Sequence, residues 1–432
     1  MESKTGGMRI GEHQHGLLSF DLGTRLCSNI NMDEPEHILE PLTYHLELRD
    51  YLKSEERELW NWFSSAQAKA NYTENLRLDL LKSTYRLDAD SHPELSQALN
   101  EVKARLQLDI PVTFYQAQNT PQLNAALYYI PGQGHIVLSG PVLTLLSGEE
   151  LKSVIGHELA HYHLWERDTG EFHIVDRLLH AVANDPRASA SHEQTARRYR
   201  LYTEIFADRG ALRVTDDAGP VVAGLLKMET GLSQVSAASY LKQAEEVFGN
   251  GNVRTDGVSH PEAFIRARAL KLWQERRENA GAQIQAMIEG AATLDELDLM
   301  GQRRLTTATR RLLQCLLRPK WFQTPATLGH AKLFFDDFQP AESNDSSVCA
   351  ELKSSDARLR EFLCYVLLDF AKVDPDLEDM PLAAGLELSR QLELETQFEK
   401  LTARELKMRV RDLRRIKEQA AEMLAKAEAH CE

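Results

Sequence analysis

Residues 157–161 read His-Glu-Leu-Ala-His, and the interpretation of the whole chain starts from this stretch. Apolar residues recur around it at helical spacing, which predicts a helix that opens near Gly148. Residues four apart lie on one face of a helix, so His157 and His161 can reach the same metal ion. Glu158 lies beside the first histidine, where its carboxylate can reach a water molecule at the metal. Two histidines, a third protein ligand and an open position are typical of zinc, and we expect a single Zn²⁺ per chain.

A helix face with exposed histidine and glutamate, and no metal, is the alternative interpretation of this stretch. The neighbouring residues Val154, Ile155 and Leu159 are apolar, which predicts that this side of the helix is buried. Buried imidazoles and carboxylates need partners, and a metal ion supplies one. The apolar flanks therefore favour the metal site over the exposed face.

A second helix, predicted at about 191–213, offers the missing ligand. Glu204 and Asp208 are four residues apart and therefore share a helix face. We expect Glu204 to be the third metal ligand and Asp208 to accept a hydrogen bond from a histidine N–H, which would fix that ring's tautomer. Surface salt bridges to neighbouring arginines are the alternative role for this pair. If Glu204 is not a ligand, Asp208 and His260 are the next candidates.

The remaining pattern predicts an α+β fold that is predominantly helical, with a small β-sheet in the metal-binding unit and an all-helical unit after it. A β-hairpin is expected where two β-rich stretches flank a Pro-Gly turn. The predicted ranges are helices over most of 41–100 and at about 171–184 and 261–280, and strands at 112–115, 126–130 and 135–139. The last helix is predicted to carry one apolar face, formed by Leu406, Val410, Leu413, Ala420, Leu424 and Ala427.

Composition excludes several classes of protein. The 432 residues carry a net charge of −15, which disfavours a nucleic-acid partner, and 43% are hydrophobic, enough for a sizeable core. The five cysteines are scattered without a C-x-x-C pair, so we expect no disulfide framework, no cysteine zinc site and a cytoplasmic location. No stretch reaches the ~18 apolar residues that a membrane span needs, and no secretory signal opens the chain, so we expect no membrane insertion.

The ordered motifs of the first two-thirds of the chain resemble peptidase family M48. The H-E-x-x-H stretch and the later Glu204-x-x-x-Asp208 pair resemble the metal motifs of this gluzincin family, which includes the Ste24-type and HtpX-type proteases. Three other segments match the family pattern: Asn124-Ala125-Ala126 before the hairpin, residues 139–151 before the metal helix, and His260-Pro261 followed by Arg266. Those two protease types are membrane-embedded, so this chain is similar to a soluble branch.

The resemblance implies a zincin-type metallopeptidase that hydrolyses peptide bonds in extended or unfolded protein segments, with Glu158 as the general base. It also implies that His260 lies at the active site, where it can donate to the developing oxyanion. A histidine that caps a helix ahead of Pro261 is the alternative for that position. The strand that begins with Asn124, Ala125 and Ala126 is expected to bind substrate as an added strand.

The C-terminal third resembles TerB-like helical domains, in which an acidic D-x-D stretch precedes a helix. Asp374, Asp376 and Glu378 occupy that stretch. They either bind a hard cation or are acidic residues that the helix dipole favours at a helix N-terminus. We expect an arm at 1–40, a metallopeptidase domain at 41–285 and a helical domain at 286–432. The alternative functions are a zinc-folded binding or regulatory module with latent activity, controlled through a partner of its helical domain, and a zinc hydrolase of non-peptide substrates.

Overall fold

The computed structural model describes residues 39–429, with the exception of residues 89, 119, 252, 291–293, 343–351 and 354–356. The predicted N-terminal arm lies almost wholly outside the described residues. Within the described residues, no helix is both long enough and apolar enough to cross a membrane.

Helices make up most of the described chain and one small sheet accompanies them, as the sequence predicted. In chain order the elements are α1 Thr43–Glu55, α2 Arg57–Ser64, α3 Ala66–Ser83, β1 Thr84–Arg86, α4 Pro93–Leu106, β2 Val112–Ala117, β3 Asn124–Ile130, β4 Gln133–Ser139, α5 Val142–Leu145, α6 Gly148–Ala183, α7 Ala190–Thr215, α8 Ala218–Thr230, α9 Ala237–Gly249, α10 Ala263–Gln274, α11 Ala280–Glu289, α12 Leu299–Leu316, α13 Pro325–Phe334, α14 Ala357–Phe370, α15 Met380–Gln391, α16 Glu395–Glu405 and α17 Val410–Ala429.

The sheet has the strand order β1-β2-β4-β3, with β2 and β4 parallel and the other two pairs antiparallel. The predicted hairpin is confirmed as β3 and β4, and β3 is an edge strand of the described sheet. Side chains alternate between the two faces. Ile136 and Leu138 pack towards the core that contains α6, whereas Val137 packs with α3 on the opposite face.

Helices α6 and α7 approach closely, and this approach brings the two metal motifs together. A Cβ added at Gly210 of α7 would lie only 2.3 Å from the Cβ of Ala160, which stands between the two histidines on α6. A Cβ at Gly156 would similarly lie 2.9 Å from the Val214 side chain. Small residues at the crossing therefore let the two helix backbones meet at the level of the histidines.

The N-terminus of α6 is fixed by a hydrogen-bonded cap. Glu150 accepts the Ser147 backbone N–H at 2.6 Å, and its carboxylate is held by Lys227 of α8 at 2.8 Å. The helix is interrupted between Arg167 and Gly170, where the backbone leaves helical geometry. The predicted helix at 171–184 is the part of α6 beyond this break.

The C-terminal helices have an apolar core of their own, built from residues between Ala308 and Ala427. The predicted boundary, between residues 285 and 286, falls inside α11. Helix α12 still contacts the N-terminal half at its start: Asp298, at its N-terminus, accepts hydrogen bonds from Tyr44 and Arg198. The division into domains and the TerB-like character of the second part stay predictions.

Two local predictions about the C-terminal part are altered. The last helix begins at Val410, so the prediction that Leu406 lies on it was wrong; that residue caps α16. Asp374 caps a short 3₁₀ turn at Pro375–Leu377 and accepts a hydrogen bond from Thr324 at 2.6 Å. The Asp374 side chain also accepts the backbone N–H of Asp376, as the helix-terminus interpretation expects.

Candidate metal centre

The structure brings His157 and His161 of α6 and Glu204 of α7 into one group that could hold a metal ion. The Nε2 atoms of the two histidines are 3.2 Å apart. Glu204 places Oε2 3.3 Å from Nε2 of His157 and Oε1 3.6 Å from Nε2 of His161. Among the described residues, these are the His, Cys, Asp or Glu side chains that form a group of three or more with ligand atoms within 4.8 Å of one another.

These separations fit zinc. Zinc bonds of ~2.0–2.2 Å in a tetrahedral arrangement place ligand atoms about 3.3–3.5 Å apart. Oε2 of Glu204 is buried and receives no hydrogen bond, although an unpaired buried carboxylate oxygen is costly. Two imidazole nitrogens 3.2 Å apart beside this carboxylate are a donor set that a divalent cation stabilises.

Asp208 fixes the orientation of the first histidine. Its Oδ1 lies 3.0 Å from Nδ1 of His157, so the Nδ1–H donates to the carboxylate and Nε2 is turned towards Glu204. Arg266 of α10 binds the same carboxylate in a bidentate manner, with Nε 2.8 Å from Oδ2 and Nη2 2.6 Å from Oδ1. The prediction placed Arg266 only in a motif; the structure shows that it pairs with the buried Asp208.

Charge and burial act in opposite directions at the two histidines. Burial lowers the pKa of His157, but the nearby carboxylates of Asp208 and Glu204 outweigh this effect and raise the pKa to about 10. Burial lowers the pKa of His161 to about 4, because the Glu204 carboxylate only partly compensates. His161 is therefore neutral near pH 7, whereas His157 is protonated and would lose its Nε2 proton when a metal ion binds.

Glu158 lies on α6 beneath the hairpin and is 6% exposed. Burial, aided by the Glu204 carboxylate, raises the pKa of Glu158 to about 7, while His157 and the backbone N–H of Leu127 act in the opposite direction. A carboxyl group with a pKa close to neutrality is suited to accept and return a proton.

The loop before α10 brings His260 to the rim of the group. Nε2 of His260 lies 3.5 Å from Oε1 of Glu204, and 59% of the histidine side chain is exposed. Arg197 of α7 holds this loop by donating to the carbonyl oxygens of Gly257 at 2.8 Å and Thr255 at 2.9 Å. A Cβ at Gly257 would lie 1.9 Å from the His260 carbonyl oxygen, so the turn requires glycine.

The candidate substrate strand, β3, runs along the sheet edge beside the group. Asn124 is exposed, Ala125 and Ala126 are half-buried, and all three pair with β4 on one side only among the described residues. Leu127, next along the strand, is the residue whose backbone N–H acts on Glu158. The strand and the proposed general base therefore face the same space.

An aromatic wall beside the histidines was not predicted. Trp165 is half-buried against the apolar core, and its ring stacks on His161 with centroids 5.5 Å apart. One helical turn separates the two residues, and this spacing is the only sequence signal for the contact. Tyr129 of β3 approaches the same tryptophan, with ring centroids 6.2 Å apart.

Comparison with known proteins identifies the part of the chain that carries these residues. A sequence model of peptidase family M48 matches residues 89–274. The plastoglobule-localized metallopeptidase 48, chloroplastic, of Arabidopsis thaliana is 27% identical over 224 residues, which cover 48% of this chain and 62% of that protein. No solved structure matches the chain significantly. The matched region contains β2–β4, both metal motifs and the His260 loop, and residues 89–274 of this chain are a domain of peptidase family M48.

Proposed function

We propose that the protein is a zinc-dependent endopeptidase that hydrolyses peptide bonds in extended or unfolded protein segments. The observation that carries the proposal is the convergence of His157, His161 and Glu204 next to Glu158 and an open strand edge. The family match supports the same activity class, and the name of the Arabidopsis relative describes that protein as a metallopeptidase.

His157, His161 and Glu204 would hold the ion. Zinc held there would polarise the scissile carbonyl as a Lewis acid and lower the pKa of a bound water molecule towards neutrality. Glu158 accepts a proton from the attacking water on a carboxylate oxygen and returns it to the leaving amine. His260, whose Nε2 lies 3.5 Å from Oε1 of Glu204, would donate its Nε2–H to the oxyanion that develops on the former carbonyl. Asp208, held by Arg266, keeps the ring of His157 in its liganding tautomer.

Strand β3 would bind the substrate backbone. An edge strand offers unpaired N–H and C=O groups, and an extended peptide can add to it by main-chain hydrogen bonds. A segment inside a folded domain already uses those groups, so the groove selects flexible or unfolded segments. The substrates we propose are therefore proteins or peptides in extended conformation.

Cleavage of one polypeptide in two states tests this selection. The substrate is a small disulfide-stabilised protein, presented either native or after reduction and alkylation. We expect the alkylated form to be cut at internal bonds and the native form to persist, because only the first can add to β3. Mass spectrometry should show new amino termini, and the masses of the two products of each cut should sum to the mass of the substrate plus one water.

The outcome of this experiment separates the alternatives. Cleavage of both forms at equal rates would contradict selection by the strand. Hydrolysis of small esters with no new peptide termini would favour a hydrolase of non-peptide substrates. Bound zinc without turnover of any substrate would favour the binding or regulatory module, for which the separate apolar core of the C-terminal helices is the supporting observation.

Location and further partners stay predictions for this chain. The name of the Arabidopsis relative places that protein at plastoglobules of the chloroplast, whereas the cysteine pattern here predicted the cytoplasm. The C-terminal helices are the part of the chain we propose for binding a regulatory partner.

A further inference from the structure

The carboxylate of Glu166 joins the metal helix to the hairpin. Glu166 stands on α6 immediately before the helix break, five residues after His161. Its Oε2 accepts hydrogen bonds from the hydroxyl groups of Tyr129 at 2.7 Å and Tyr162 at 3.0 Å. The backbone N–H of Gly132 makes a longer contact with the same oxygen, at 3.5 Å.

These donors come from two different elements. Tyr162 lies on α6, one turn before Glu166, so its bond stays within the helix. Tyr129 belongs to β3 and Gly132 to the turn that joins β3 to β4, so their bonds cross from the hairpin to the helix. Glu166 therefore holds the far end of the substrate strand, while Glu158 lies under Leu127 near its middle.

The break in α6 leaves room for this contact. Arg167 has extended backbone geometry, and Gly170 has a φ of 88°. A Cβ at Gly170 would lie 3.5 Å from the Tyr129 hydroxyl oxygen. The chain thus leaves the helical path directly after Glu166, at the place where the Tyr129 hydroxyl reaches it.

We propose that Glu166 is a positioning residue, which sets the height of strand β3 above the metal helix through Tyr129 and Gly132 and thereby aligns a bound peptide with His157, His161 and Glu158. This inference rests on the proposed peptidase function. It assigns a role to a carboxylate that neither contacts the metal group nor reacts.

The chemistry of the contact suits this role. Hydrogen bonds to an ionised carboxylate are shorter and stronger than those between neutral groups. Burial and the Glu166 carboxylate raise the pKa of Tyr129 well above its usual value, so the phenol keeps its proton and remains a donor. These hydrogen bonds also act on an edge strand that, among the described residues, is paired only with β4. Without them, strand β3 would be held less firmly where substrate adds.

Replacing Tyr129 by Phe removes the crossing hydroxyl bond and keeps the ring. We expect KM for an extended peptide to rise about 10-fold, because one charge-assisted hydrogen bond is lost from the alignment of the strand. We expect kcat and zinc content to stay close to native, because His157, His161, Glu204 and Glu158 are unchanged. Hydrogen exchange should become faster at amides in 124–139 and stay unchanged in 150–162.

Two further variants separate positioning from general loss of structure. Tyr44→Phe removes another buried phenol–carboxylate bond, that of Tyr44 to Asp298 at 2.7 Å, away from the strand. It should lower stability without raising KM. Glu166→Ala removes the acceptor and should raise KM. Glu166→Gln keeps an acceptor oxygen and should raise KM less than Glu166→Ala does.

The outcomes distinguish this inference from the proposed function. If the native protein cleaves peptides and Tyr129→Phe has native KM and native exchange in the hairpin, the positioning role is contradicted and the peptidase function stands. A fall in kcat with unchanged KM, or loss of zinc, would also contradict it. If the native protein cleaves no peptide, the proposed function itself fails, and this inference fails with it.

Discussion

Replacement of Glu158 by Gln is expected to abolish peptide cleavage while the zinc site remains. The amide keeps the size of the side chain but cannot accept the proton of the attacking water. Loss of general-base catalysis lowers kcat/KM by about 10²–10⁴-fold. The three metal-binding side chains are untouched, so metal content should equal that of the native protein. The measurement pairs metal analysis with cleavage of an unstructured protein such as casein.

Glu149→Gln is the matched control for this variant. Glu149 lies on the same helix, but its side chain is 59% exposed and pairs with Lys152 at the surface. The same chemical change at that position should leave cleavage at the native rate. Native cleavage by Glu158→Gln would remove Glu158 from the mechanism, and loss of zinc in that variant would show that the substitution disturbs the site.

Replacement of Glu204 by Ala is expected to release the metal. This change removes the only anionic member of the group and leaves two histidines, too few for a closed zinc site. Removing a residue that hydrogen-bonds to a metal ligand typically lowers metal affinity by about 10–100-fold. We therefore expect removal of a ligand itself to lower zinc affinity by more than about 100-fold. Competition with a chelator of known affinity measures this change.

Asp208→Asn provides the comparison for Glu204→Ala. The amide can no longer accept the Nδ1–H of His157 as a carboxylate does, yet all three ligands remain, so affinity should fall by only about 10–100-fold. If Glu204→Ala binds zinc as tightly as the native protein, Glu204 is not the third ligand. In that case His260→Ala and Asp208→Ala decide which of the other two candidates is.

The histidine pair and the carboxylate pair could be predicted because each is local. A spacing of four residues determines that His157 and His161 share a face, and the same holds for Glu204 and Asp208. The sequence could not state that the two helices meet at this level. That meeting depends on Gly210 against Ala160, a contact between residues 50 positions apart whose only signal is a small side chain.

The sheet shows the same limit. The hairpin was predicted because a turn joins its two strands. Strand β2 pairs with β4, although β3 lies between them in the sequence, and this pairing leaves no local sequence signal. The segment Thr84–Arg86 was included in a helical stretch, but it forms strand β1. Pairing with β2 overrides the local pattern there, as tertiary contacts commonly do for short strands. The sequence gives no local signal for the role of Glu166 either, because its partner Tyr129 is 37 residues away.

The central claim, that His157, His161 and Glu204 hold a zinc ion on which peptide hydrolysis depends, is tested most directly by zinc analysis of the native protein before and after chelation. The same samples are assayed on casein. We predict a single zinc per chain, loss of cleavage when the chelator removes it, and recovery of cleavage in proportion to zinc returned. Full cleavage by the metal-free protein would contradict the claim.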